Sequence, residues 1–88
     1  MSKAIITGVY DIASQIFMGV QYANNERDAK FGFEQACKNN KTMIGQFPAD
    51  HTLKKLADID LETGKITSCE LKDLANGAQF LNNDDSQT

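Results

Sequence analysis

Residues 52–71, TLKKLADIDLETGKITSCEL, decide the fold. They read as two strands joined by a tight turn at Leu61-Glu62-Thr63-Gly64, with Gly64 where a hairpin loop needs a residue that accepts positive φ. A lone hairpin does not persist in water, so its apolar face must be covered by further strands or a helix. The covering elements have to come from the residues upstream.

The 88 residues are enough for one domain, and a domain of this size buries a smaller share of its surface than a larger one. With 41% hydrophobic and 24% charged residues the composition is that of a folded globular chain. No apolar run reaches the roughly 20 residues of a spanning helix, so no membrane is expected as a partner. The opening Met1-Ser2-Lys3-Ala4-Ile5-Ile6 turns to Thr7-Gly8 instead of a sustained apolar run, so no secretory signal is expected either and the default compartment is a reducing cytoplasm. Cys37 and Cys69 fit that setting as two buried, inert thiols. They lack CxxC spacing, and His51 is the only histidine; no zinc site or cysteine–histidine nucleophile is therefore expected.

Charge is distributed unevenly. Residues 1–55 hold seven Lys/Arg against five acids, and residues 56–88 two against seven. A chain that coats DNA non-specifically needs a basic surplus, because backbone affinity scales with the phosphates neutralised, and the net charge here is −3. A nucleic-acid contact would have to be local. The candidates are Lys38 and Lys41, with Asn39 and Asn40 between them, then Lys54 and Lys55, with Phe47 as a stacking group. The alternative is that these cations are simply solvated ends of a helix and a strand.

In chain order, residues 4–11 (AIITGVYD) are β-branched and aromatic and predict a strand. Asp11-Ile12-Ala13-Ser14 predicts a reversal. Residues 15–22 (QIFMGVQY) alternate, with Ile16, Met18, Val20 and Tyr22 on the face expected to be half-buried. Phe17 is then the one large apolar residue facing the other way, and with Tyr22 it marks a candidate interface. A helix follows. Asn24 or Asn25 is its N-cap, Glu26 and Asp28 suit its first turn, and Lys38 and Lys41 lie toward its other end. Ala29, Phe33, Ala36 and Cys37 form the inward stripe, Phe31 falls off it, and Arg27 or Lys30 is placed to pair with Glu34. Gly32 predicts close approach of the helix to the sheet.

Residues 39–51 (NNKTMIGQFPADH) read as a loop anchored by Met43, Ile44 and Phe47. Residues 50–57 fit either a short helix capped by Asp50 or a strand; the strand reading, over about 53–60, is preferred. Leu74, Phe80 and Leu81 predict a short docking segment, and residues 82–88 a disordered polar tail, leaving residues 1–81 as one domain. Asp58-x-Asp60-x-Glu62 imitates a calcium loop, but its glycine comes at Gly64, one residue late, and a strand follows where a helix should. No metal, cofactor or set of catalytic residues can be assembled, so the chain is not expected to be an enzyme. The expected fold is α+β, an antiparallel sheet with one covering helix in the order β-β-α-β-β. Its other face is left incompletely protected, which invites homo-oligomerisation, a dimer first, either edge to edge or through the open face.

Several of these pieces resemble a known family. Val9-Tyr10-Asp11, the aromatic strand with Phe17 and Tyr22, and the helix with Ala29 and Phe33 are followed by Phe47-Pro48-Ala49-Asp50-His51-x-Leu53. Then come Leu56-Ala57-x-Ile59-Asp60 and Thr63-Gly64-Lys65-Ile66. Together, over about residues 5–81, they resemble the small nonstructural protein of gokushoviruses, the tailless single-stranded DNA phages of the Microviridae. The chain departs from that pattern in having Gly19-Val20-Gln21-Tyr22 in place of a Pro-Phe-Phe, and His51 in place of an aromatic. The resemblance implies a phage protein of the host cytoplasm, absent from the finished virion, that acts in the switch from duplex replication to synthesis and packaging of single-stranded genomes. Its implied partners are phage or host replication proteins, or single-stranded DNA. A different class of function, a host-directed inhibitor that captures a strand at an exposed sheet edge, fits the same residues.

Overall fold

The computed structural model describes residues 2–80; the polar tail expected at 82–88 lies outside them. The chain forms strands β1 (Lys3–Asp11) and β2 (Ile16–Ala23), helix α1 (Glu26–Lys38), a single turn of helix α2 (Met43–Gln46) and a 3₁₀ turn (Pro48–Asp50). Strands β3 (His51–Asp60) and β4 (Ile66–Asn76) and a second 3₁₀ turn (Gly77–Phe80) complete it. The fold is α+β, with a four-stranded antiparallel sheet in the order β2-β1-β3-β4 and one main helix. From β2, α1 carries the chain back across the sheet so that β3 can pair with the far side of β1.

The β3–β4 hairpin closes as its sequence dictates. Gly64 sits at φ +80°, its N–H donates to Asp60 O at 2.7 Å, and Asp60 Oδ1 accepts from Glu62 N at 2.9 Å. One acid of the false calcium loop, Asp60, thus braces the turn, while Asp58 pairs with Lys55. The β1–β2 reversal is held by Asp11, whose carboxylate accepts from the Ser14 hydroxyl at 2.9 Å and from Ala13 N at 3.0 Å. The Ser14 hydroxyl in particular holds the Asp11 carboxyl below its usual range. Gln15 takes a left-handed conformation there, φ 63°, at a steric cost a glycine would avoid.

α1 is capped by Asn25, whose side chain accepts from Asp28 N, satisfying one of the donors a helix start leaves free. It lays Phe33 and Cys37 onto Ile5, Leu53, Leu74 and Ala75, with Val9, Ala23, Ala29, Ile44 and Phe80 around them. Phe80 meets Phe33 edge-on at 6.2 Å between ring centres. Glu34 pairs with Lys38 at 2.7 Å, rather than with Arg27 or Lys30 as expected, an i,i+4 pair with the acid on the N-terminal side.

Several expectations fail for identifiable reasons. β3 begins at His51, two residues early, because the 3₁₀ turn delivers the chain directly into the strand. Leu74 belongs to β4, not to a separate docking segment, while Leu81 lies outside the described residues. Of the loop anchors only Ile44 packs on the core; Met43 and Phe47 are exposed. Cys69 is only half-buried, and both thiols are free.

Gly32 does not mediate close approach. A Cβ there would meet nothing within 4 Å, and the residue borders a cavity of about 120 Å³ between α1 and the sheet, walled by Thr7, Gln21, Phe33 and Leu53 among others. Gly32→Ala should therefore stabilise the fold by about 0.5–1 kcal/mol, since it removes helix-interior glycine without a clash. A rise of a few degrees in the melting temperature is the expected result, and a fall would mean that the helix sits closer to the sheet than this geometry has it.

Candidate interaction surface

Strand pairing determines what each face of the sheet carries, because neighbouring residues across strands point the same way. Ile5, Thr7 and Val9 face α1, with Leu53 opposite Val9. Ala4, Ile6, Gly8 and Tyr10 therefore face away from it. With them stand Tyr22 opposite Ile6, Val20 opposite Gly8, and Phe17 opposite Tyr10, and from the other side Ala57, Lys54 and Thr52. No element of the described residues covers this second face. The thinnest dimension of the molecule, 20 Å, is the depth of one sheet and one helix layer.

The composition of the face results from two bulges. Between the pairs Gly8–Val20 and Tyr10–Phe17, β1 supplies one residue, Val9, and β2 supplies two, Met18 and Gly19. This insertion resets the alternation, so odd-numbered Phe17 joins even-numbered Val20 and Tyr22. The expected half-buried face of Ile16, Met18, Val20 and Tyr22 is corrected accordingly. Ile16, Val20 and Tyr22 are 58%, 61% and 55% exposed, and Phe17 is the one with a close partner, the Tyr10 ring at 5.1 Å and 63°. The second bulge, between Ile6–Ala57 and Thr7–Lys55, leaves Leu56 unpaired. Its side chain and that of Phe17 close over Gly8, where a Cβ would lie 3.0 Å from both. Phe17 and Tyr22, the candidate interface residues, thus share one surface, and the aromatic pair on it is seated on a glycine.

The nucleic-acid candidates are split. Lys54 and Lys55, adjacent in β3, point to opposite faces. Lys54 lies on the uncovered face with its ammonium 5.1 Å from the centre of the Tyr10 ring and 3.2 Å from the Asp73 carboxylate. Lys55 lies on the helix side, 2.9 Å from Asp58, whose hydrogen bond holds its amine charged to higher pH than usual. Lys38 ends α1, paired with Glu34; Lys41 and the exposed Phe47 flank α2. Three of the four lysines are thus already neutralised by carboxylates.

His51 is a residue whose position the sequence did not signal. It is fully buried, its Nδ1 is 2.8 Å from Phe47 O, and its Nε2 has no partner among the described residues. It locks the Pro48–Asp50 turn onto the start of β3. Among the described residues no cluster of three or more metal-ligating side chains forms, and no helix is long and apolar enough to cross a membrane.

Burial, reinforced by the Glu34 carboxylate, pushes the Cys37 thiol up from 9.0 to about 11. The folded state then holds this proton more tightly than the unfolded state does, so the contribution is complete below pH 9 and is lost as pH climbs towards 11. Urea unfolding should accordingly show a drop in midpoint over that interval, smaller in Cys37→Ala. A thiol reagent at pH 8 should modify Cys69 well before Cys37; equal rates would contradict the burial of Cys37.

The described residues thus form a thin α+β slab with one sheet face under α1 and the other uncovered. Residues 5–80 match the family described as phage ORF5 protein, and the chain belongs to that family. No curated protein and no solved structure matches it.

Proposed function

We propose that the protein is a non-catalytic accessory protein of a single-stranded DNA phage of the gokushovirus type. In this reading it acts in the host cytoplasm, outside the finished virion, at the switch from duplex replication to synthesis and packaging of single-stranded genomes. It works by protein contact through the uncovered face of its sheet. The observation that carries this reading is the chemistry of that face. Antiparallel sheets with one solvated side normally alternate apolar-in and polar-out, yet this side presents Val20, Tyr22 and Ile66 with most of their surface exposed. Apolar side chains exposed on both outer strands of one face mark a contact site. Membership of a phage family supports the phage setting, and the resemblance in the hairpin and β1 motifs supports the replication context.

A direct single-stranded DNA ligand is the second reading, favoured by one arrangement, Lys54 over Tyr10 beside Phe17, which offers a stacking platform with a cation. The pairing of Lys54 with Asp73 and of the other lysines with their own acids weighs against it.

The test is the ratio of single-stranded to duplex genome in cells infected with phage carrying Val20→Glu or Tyr22→Glu. Single-stranded genome is expected to fall by about tenfold while duplex accumulates; an unchanged ratio would overturn the replication role. Titration of a labelled single-stranded oligonucleotide at low and physiological salt separates the two ligands. Micromolar binding that weakens steeply with salt and is lost in Lys54→Glu would replace protein contact by DNA contact.

A further inference from the structure

The occupant of the uncovered face can be argued from its size, its charge and the rest of the chain. Four strands about 4.8 Å apart and roughly eight residues long at about 3.3 Å per residue give roughly 500 Å² on each copy, so two such faces together remove roughly 1,000 Å², where specific interfaces begin. The only charges that the strand register places on it are Lys54 and Asp73, which neutralise each other at 3.2 Å. An identical face brought against it therefore meets no like-charge repulsion. A strand of nucleic acid would need several unpaired cations here, and the register supplies none. Residues 81–88 hold one apolar side chain, Leu81, followed by Asn82-Asn83-Asp84-Asp85-Ser86-Gln87-Thr88, a composition that does not match an apolar sheet.

We propose that the uncovered face docks against the same face of a second copy, giving a two-fold dimer in which two sheets stack with α1 of each copy on the outside. This rests on the reading that the face is a protein-contact surface and names its partner. The isologous geometry brings each β1–β2 half, with Phe17, Val20 and Tyr22, against a β3–β4 half with Leu56, Ile59 and Ile66, or against its own counterpart. Stacked sheets pack about 10 Å apart, close enough for these side chains to interdigitate. The inner layer so formed would supply the second core that a sheet with one helix lacks.

The two tyrosines of the chain, Tyr10 and Tyr22, both lie on this face, and there is no tryptophan. Intrinsic fluorescence therefore reports directly on its occupancy. Light scattering or sedimentation of the full chain should give a species of twice the 9.7 kDa chain mass, with tyrosine emission that changes as the protein is diluted through the dissociation constant. Val20→Glu and Ile66→Glu, both at exposed positions that leave the helix-side core untouched, should each weaken the dimer at least tenfold while circular dichroism stays unchanged. Phe31→Glu, on the outer side of α1, should leave it intact. A 9.7 kDa species at several hundred micromolar overturns the proposal. So does a dimer indifferent to both face variants, which would be joined at a sheet edge. A monomer whose face variants still lower single-stranded genome yield would refute the second copy but leave the replication role standing; a face-dependent dimer with normal genome ratios would do the reverse.

Discussion

Phe33→Ala is expected to lower the stability of the fold by about 3–5 kcal/mol, the range for removing a large aromatic from a packed core. Phe33 is the largest side chain in the small buried cluster, 4% exposed, and it joins three elements: α1, which carries it, the sheet beneath, and the last turn through Phe80. Domains of this size commonly have about 5–15 kcal/mol in total, so the variant should sit near the threshold of folding at 37 °C. Urea unfolding at 25 °C measures the loss. Because a cavity already lies beside Phe33, truncation enlarges a void instead of closing one, which places the expected cost at the upper end. A loss under 1 kcal/mol would mean that α1 collapses freely onto the sheet, and Phe33→Leu should restore roughly half of the difference.

Gly77→Ala should be comparably damaging for a different reason. The residue is buried at the end of β4, and a Cβ on it would overlap the Pro48 carbonyl. Backbone faces backbone there, so no side chain can rotate away, and the two 3₁₀ turns must separate. Their separation would pull Asn76 from Thr52, now joined by a 2.8 Å bond from Asn76 Nδ2 to Thr52 Oγ1, and disturb the turn that seats His51. A loss of about 3 kcal/mol is expected. The same change at Gly64 meets no neighbour and should cost only the left-handed strain, about 1–2 kcal/mol; at Gly32 it should stabilise. One substitution thus has three outcomes set by three local geometries. If all three variants unfolded alike, the close approach at Pro48 would not be what makes Gly77 necessary.

The hairpin was legible because its signals are local: alternation on both sides, a turn with glycine in the one place that needs it, and one acid, Asp60, that braces the turn through its carboxylate and its carbonyl. The helix was legible for the same reason, Asn25 at the cap and Phe33 and Cys37 at helical spacing. The uncovered face was not. Alternation along 15–22 assigns Val20 and Tyr22 to a face correctly but cannot say which side the helix will cover, since coverage is decided by where β3 inserts. Nor does it register a bulge, because Met18 and Gly19 look like ordinary members of the run until they are paired with Val9. Lys54 and Lys55 were grouped by their adjacency in sequence, which in a strand is what separates two side chains. His51 carried no local signal; its burial depends on Phe47 O, delivered by a turn that pattern reading took for a loop.

The extra residue at Gly19 also limits how this molecule can polymerise. A straight outer strand offers its hydrogen-bonding groups at a constant rhythm, and any similar strand can lay itself alongside and continue the sheet indefinitely, the first step towards fibres. In β2 the rhythm slips by one residue midway, so a newcomer in step with Ile16 and Phe17 is out of step by Tyr22. Growth along that border is frustrated, which leaves the broad side of the sheet, where the dimer proposed above would close at two copies instead of running on. Deleting Gly19 would restore the rhythm, and the apolar side chains that line the proposed closed pair would instead line an open-ended one.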